Sequence, residues 1–142
     1  MEAHPGEAIR RIVVALLSLA LPGSAAASNA YETLLARHVR PGVVEDLRLN
    51  LVDYAALSLD PAYPRALEEF RRAAPQQLSS EAERFAFWVN AYNLLAIKTI
   101  VDRYPIASIR DGGNLLFPIW KRTAGEVAGR ALSLDDIEHG IL

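Results

Sequence analysis

The chain has 142 residues, of which 51% are hydrophobic and 23% are charged, a composition typical of one folded globular domain. A net charge of −2, with no run of more than two Lys or Arg residues, argues against nucleic acid as a partner. The chain has no cysteine, which excludes disulfides, thiolate metal sites and a thiol nucleophile within these residues. His4, His38 and His139 are far apart and form no HxxxH pair, so we predict no metal site and no cofactor.

The first 27 residues have the pattern of a cleaved export signal. Arg10 and Arg11 precede an apolar run over 12–21, and small residues follow at 25–27. The apolar run is shorter than the roughly 20 residues that a membrane-spanning helix needs. We therefore predict cleavage after Ala27, a periplasmic or secreted protein, and no transmembrane span after signal removal. A buried N-terminal helix has the same composition and is the alternative.

The rest of the chain, 28–142, is predicted to form a single globular domain around one long helix at about 80–104. Ser80 and Glu83 have the spacing of a capping box, and Pro105 ends the segment. Apolar residues occupy nearly every side of this segment, which is typical of a helix surrounded by other elements.

Shorter elements are predicted on both sides of the central helix. The spacing of apolar residues over 31–38 predicts an amphipathic helix, with His38 at the boundary of its apolar face. Pro41-Gly42 is typical of a turn. Asp53 and Asp60-Pro61 are typical helix starts.

Two strand patterns complete the prediction. Leucines alternate with polar residues over 47–52, which indicates a strand with one buried face, and 122–132 has the pattern of a hairpin with Gly129 in its turn. Ser133 and Asp136 predict the start of a final helix. The fold class is therefore predicted to be α+β, mostly helical, with a small antiparallel sheet from the 47–52 strand and the hairpin.

His139 is the strongest single candidate for chemistry. On a helix that begins at Ser133, Asp135 lies four residues and Asp136 three residues before His139, so either carboxylate can approach the imidazole. A carboxylate that holds one ring nitrogen orients a histidine as a general base. The alternative is that both carboxylates only stabilise the first turn of the helix.

Asn90 and Asn93 are the other candidate site residues, because they interrupt an otherwise apolar helix. A buried amide without a partner costs about 1–3 kcal/mol, so both side chains are expected to bind something. The structural interpretation is that they hold a neighbouring loop, for example the segment 108–111. The functional interpretation is that they contact a catalytic histidine or a substrate carbonyl.

The sequence resembles the domain-of-unknown-function 547 family, which occurs in many exported bacterial proteins and in some plant proteins. The resemblance extends from about Tyr31 to Leu142 and is carried by the order and spacing of several short motifs. These are Val52-Asp53-Tyr54, the FWVNAYN segment at 87–93, Tyr104-Pro105 with 108–111, Trp120-Lys121, and the SLDDIEH segment at 133–139.

The resemblance implies that family members continue beyond the SLDDIEH segment into a cysteine-containing segment. This chain is then expected to be the N-terminal, supporting part of a thiol hydrolase-like domain, with His139, Asp135, Asn90 and Asn93 as its contribution to the site. Two alternatives remain open at this stage. One is a non-catalytic binding or scaffold module of the cell envelope with an unidentified partner, and the other is a remnant of a truncated gene.

Overall fold

The computed structural model describes residues 29–44, 46–105 and 118–142, so the predicted export signal and the segment 108–111 lie outside the described residues. The described residues form helices and short strands, with single 3-10 turns at 75–77 and 119–121. In chain order the elements are α1 (Asn29–His38), β1 (Val39–Val44), β2 (Leu47–Val52), α2 (Tyr54–Leu59), α3 (Ala62–Arg72), α4 (Glu81–Val101), β3 (Thr123–Val127), β4 (Arg130–Ser133) and α5 (Leu134–Gly140).

The central helix α4 is confirmed, as is the predicted α+β class. Ser80 Oγ accepts a hydrogen bond from the Glu83 N–H at 3.1 Å, and the Glu83 carboxylate accepts one from the Ser80 N–H at 3.1 Å. This capping box fixes the first turn, because each side chain covers a backbone donor that the helix leaves unpaired. Although α4 has 21 residues, none of the described helices is long and apolar enough to cross a membrane.

An aromatic cluster joins α4 to the two helices that precede it. Phe70 on α3 is 2% exposed and lies with its ring edge-on to Tyr31 of α1, at 5.6 Å between centroids. On its other side Phe70 stacks on Phe87 of α4, at 5.2 Å. Phe70 therefore contacts both other helices and helps to join the three in one core.

The predicted starts of α2 and α3 agree with the structure to within one residue. Asp53 caps α2, since its Oδ1 accepts a hydrogen bond from the Ala56 N–H at 3.1 Å. Asp60 was expected to cap a helix beginning at Pro61. The helix begins at Ala62 instead, and Asp60 Oδ1 accepts the Ala62 N–H at 2.8 Å.

The prediction of one sheet is corrected by the strand pairing. In the described residues β1 pairs only with β2, and β3 pairs only with β4, giving two separate antiparallel ribbons. The strand over 47–52 and the hairpin were both predicted, but the partner of β2 was not.

The predicted turn at Pro41-Gly42 is wrong, because both residues lie inside β1. A two-stranded ribbon has no third strand to require the missing N–H of a proline, so Pro41 is tolerated there. Gly42 fits for a steric reason: a Cβ at this position would lie 2.3 Å from Cδ1 of Leu51.

The tip of the second ribbon is anchored to α3. Ala128 and Gly129 form the turn with φ angles of 51° and 73°, which agrees with the prediction that Gly129 lies in the turn. The Ala128 N–H donates to the carbonyl oxygen of Phe70 and the Gly129 N–H to that of Arg71, each at 2.9 Å. These carbonyls belong to the last turn of α3, where backbone acceptors exceed donors; the Phe70 carbonyl also accepts the Ala73 N–H at 3.3 Å.

Candidate functional site

The helix α5 begins at a second capping box. Asp136 Oδ2 accepts hydrogen bonds from the Ser133 N–H at 2.8 Å and the Ser133 hydroxyl at 2.7 Å, and Ser133 Oγ accepts the Asp136 N–H at 3.0 Å. The bond from the Ser133 backbone, followed by the one from its hydroxyl, lowers the pKa of Asp136. Asp136 therefore acts in the cap, which leaves Asp135 as the carboxylate that is free to orient His139.

Asp135 and His139 face each other across one turn of α5. His139 Nδ1 lies 3.8 Å from Asp135 Oδ1, a distance of ionic contact that is longer than a hydrogen bond. The His139 side chain is 70% exposed and that of Asp135 is 36% exposed. With Nδ1 directed at the carboxylate, Nε2 is the ring nitrogen that would exchange a proton with a bound molecule.

His139 and Asp135 lie on the wall of an open depression of about 490 Å³. The depression is formed by β4 together with α5, and neither Asn90 nor Asn93 lines it. Its lining residues are Arg130, Ala131, Leu132, Asp135, Asp136, His139, Gly140 and Ile141. Arg130 was not among the predicted site residues, because nothing in the sequence shows that the hairpin turns its side chain toward α5.

A hydrogen bond between Tyr92 and Glu138 joins α5 to α4. Burial, together with the charge of the adjacent Glu138 carboxylate and the hydrogen bond to it, raises the pKa of Tyr92. The contact lies one residue before His139 in the chain and links α5 to the central helix. Sequence reasoning missed it, since nothing in the local spacing of either residue indicates a partner on another helix.

Asn90 and Asn93 are buried in α4, at 7% and 3% exposure. The Asn93 side chain is hydrogen-bonded to that of Tyr31 on α1. The partner of Asn93 is thus a tyrosine on another helix, and the segment 108–111, the expected example of a tethered loop, lies outside the described residues. The structure does not bring these amides into the depression that contains His139, and their proposed catalytic part stays a prediction.

Substitutions of Tyr31 and Tyr54 test whether the hydrogen bond between Asn93 and Tyr31 stabilises the fold. Tyr31→Phe should lower the free energy of unfolding by about 1–3 kcal/mol, because the buried Asn93 amide loses its partner. The Tyr54 hydroxyl is buried with no hydrogen-bond partner within the described residues, so Tyr54→Phe should raise stability by about 1 kcal/mol. Urea denaturation of both variants measures the difference. Equal losses in the two would contradict it.

A second histidine–carboxylate pair lies away from the depression. His38 Nε2 lies 2.8 Å from Asp60 Oδ2, and the two side chains are only 13% and 7% exposed. Arg37 also donates to Asp60, at 3.2 Å. The Ala62 N–H and then His38 and Arg37 lower the pKa of Asp60 to about 2. The prediction placed His38 at the boundary of α1 but did not identify Asp60 as its partner.

Metal ligation is not indicated by the described side chains. Across 29–44, 46–105 and 118–142, no three His, Cys, Asp or Glu residues are grouped as a metal ion would require. His139 and Asp135 form a pair without a third ligand, and His38 and Asp60 form another.

These features define an α+β domain in which a buried central helix supports a short, exposed, histidine-bearing helix. Residues 75–142 match the family described as "Protein of unknown function, DUF547", so the predicted resemblance is confirmed over these residues. The match begins after Val52-Asp53-Tyr54, the earliest of the motifs that carried the resemblance. No curated protein and no solved structure matches the chain.

Proposed function

We propose that this chain is the supporting part of an exported thiol hydrolase-like domain, in which His139 is the general base. The observation that carries the proposal is the contact of His139 Nδ1 with Asp135 Oδ1 on an exposed depression. A carboxylate at Nδ1 favours the tautomer in which Nε2 can accept a proton. The 3.8 Å separation is of the kind that tightens when a substrate binds.

The proposed thiol lies in a part of the host polypeptide other than these 142 residues, which contain no cysteine. In the proposed step the proton of that thiol moves to His139 Nε2, and the thiolate adds to an acyl carbonyl carbon as the π electrons move to the carbonyl oxygen. When the C=O bond reforms, the bond to the leaving group breaks and the leaving group takes the proton from Nε2. Water then hydrolyses the thioester and restores the thiol. The thiolate is the reactive form, and a free thiol is only a few per cent ionised at neutral pH. A histidine beside it therefore has a measurable effect on its reactivity.

The polypeptide that the native host produces is the material for the test. We expect its reaction with iodoacetamide at pH 7 to be about tenfold slower or more in His139→Ala, because the thiol is then no longer deprotonated by the imidazole. Asp135→Asn should slow the reaction by less. Glu69→Gln is the control, since it removes an exposed acidic charge on α3 and leaves both proposed groups and the Tyr92–Glu138 contact in place.

Two results would overturn the proposal: a host polypeptide that contains no cysteine, or an alkylation rate that is unchanged in His139→Ala. Loss of folding is not a concern at this position, because replacing a side chain that is 70% exposed changes stability by only about 0.5 kcal/mol.

Export is part of the same proposal and is supported by Arg10 and Arg11, the apolar run over 12–21 and the small residues that follow. The host polypeptide should be recovered from the envelope or the medium with Ser28 as its first residue. Recovery from the cytosol with Met1 in place would contradict export.

A non-catalytic envelope module is the second candidate, and the Asn93–Tyr31 hydrogen bond favours it. This bond assigns one of the predicted site residues to holding α1 against α4. If the module has no chemistry, Asn93→Ala should lower stability and His139→Ala should leave thiol reactivity unchanged. The alkylation experiment therefore separates the two functions.

A further inference from the structure

The strand β4 has one edge that is not used by β3. In the described hairpin Val127 pairs with Arg130 across the two-residue turn, and Glu126 pairs with Ala131 next. The pair that closes such a turn is hydrogen-bonded, and hydrogen-bonded pairs alternate with non-hydrogen-bonded ones. Ala131 is therefore in a non-hydrogen-bonded position, and its N–H and C=O point away from β3.

Among the described residues no strand pairs with this edge, and the edge lies in the depression. Ala131 is exposed and lines the depression together with Arg130, Asp135 and His139. An extended chain laid along β4 would thus pair with Ala131 on one side and pass His139 at the end where β4 becomes α5. The position of the edge, and not the charge of any single group, makes it a candidate binding site.

The charges along the edge indicate the direction of such a chain. Arg130 lies at the hairpin end of β4, and Asp135 lies just beyond its other end. A chain antiparallel to β4 would exchange two hydrogen bonds with Ala131 through a single residue. The N-terminal side of the bound chain would lie toward Asp135 and its C-terminal side toward Arg130. A basic residue therefore suits the N-terminal side, and an acidic residue suits the C-terminal side.

We infer that β4 is a docking edge for an extended peptide, which binds antiparallel through the N–H and C=O of Ala131. Addition of a strand to an exposed sheet edge is a general mode of peptide recognition. The inference does not require His139 to be a base. If the proposed function holds, an extended peptide is the substrate class of that site.

The probe is the fluorescein-labelled, end-blocked peptide Lys-Thr-Val-Thr-Glu, with binding followed by fluorescence anisotropy. It should bind more tightly than Glu-Thr-Val-Thr-Lys, which has the same composition in the opposite order. Methylation of the amide nitrogen of the central valine removes the donor to the Ala131 carbonyl. We expect that change to weaken binding about tenfold or more.

On the protein side Ala131→Pro removes the outward N–H and should weaken binding by a similar factor. Proline is tolerated on an edge strand where the N–H faces solvent. Ala131→Val keeps the N–H and is the matched control, expected to bind within about twofold of the wild type. Exchange of the Ala131 amide hydrogen should slow when the peptide is bound, because that hydrogen then has an acceptor.

Equal binding of the N-methylated and unmodified peptides to the wild type would overturn the inference, even if Ala131→Pro failed to fold. The inference would also be overturned if neither Lys-Thr-Val-Thr-Glu nor Glu-Thr-Val-Thr-Lys bound at a peptide concentration of about 1 mM. Tighter binding of Glu-Thr-Val-Thr-Lys would overturn the antiparallel direction. None of these results depends on thiol reactivity, so failure here is distinguishable from failure of the proposed function.

Discussion

Phe70→Ala should lower the free energy of unfolding by about 3–5 kcal/mol. Phe70 is 2% exposed and its ring contacts Tyr31 of α1 and Phe87 of α4, so its removal leaves a cavity among three helices. The surrounding rings cannot fill the space without giving up their own packing. The measurement is urea denaturation followed by far-ultraviolet circular dichroism.

The matched control for this prediction is Phe85→Ala on α4. Phe85 is 48% exposed, so its side chain gives up far less contact on truncation. Its loss should cost less than about 1 kcal/mol. If the two variants were equally destabilised, Phe70 would not have the central position in the core that the structure gives it.

Acid should destabilise the protein as the pH falls from about 4 to about 2, and Asp60→Asn should reduce the steepness of that loss. The pKa of Asp60 is lowered to about 2, whereas its carboxyl in an unfolded chain has the ordinary value of about 3.8. Between these values the unfolded state binds a proton that the folded state does not. The contribution of Asp60 is therefore complete above pH 4 and disappears as the pH falls through 2.

Urea midpoints measured from pH 2 to pH 5 test this prediction. Glu68, Glu83 and Asp136 also have lowered pKa values and act in the same direction, so the difference between variant and wild type is the informative quantity. Glu69→Gln, on the exposed side of α3, is the control and should give a slope parallel to the wild type. Parallel slopes for Asp60→Asn as well would show that the hydrogen bonds of Asp60 with Ala62, His38 and Arg37 contribute nothing to acid sensitivity.

The parts of the fold that could be predicted are those with local signals. Ser80 with Glu83 and Ser133 with Asp136 are three residues apart, and both capping boxes are present. The position of Gly129 in the hairpin turn likewise depends on local backbone angles, since Ala128 and Gly129 both have positive φ. Each of these features depends on a hydrogen bond or a torsion angle within a few residues, which a sequence displays directly.

The failures come from contacts between distant residues. Pro41-Gly42 is typical of a turn, yet Gly42 lies in β1 because Leu51 on the paired strand occupies the space a side chain would need. The separation of the strands into two ribbons could not be predicted from the sequence either. The alternation of leucines indicates that one face of β2 is buried, but it does not indicate which strand pairs with β2. In both cases the deciding neighbour belongs to another element.

The same distinction applies to the candidate site, where contacts within one helix could be predicted and contacts between helices could not. The approach of Asp135 to His139 could be predicted from their spacing of four on a helix. The buried pair of His38 with Asp60 and the link from Tyr92 to Glu138 join different helices, and no spacing indicates them. For Asn93 the burial was expected, whereas its tyrosine partner required the position of α1.

The attachment of the hairpin tip to α3 affects where this domain can be divided. The carbonyl groups of Phe70 and Arg71, which receive the N–H groups of Ala128 and Gly129, both precede the first residue of the family match. A polypeptide cut at Pro75 would lose these acceptors, and the strand that leads into α5 would lose its anchor. We therefore expect the smallest unit that folds on its own and contains His139 to begin before residue 75, where the family match starts.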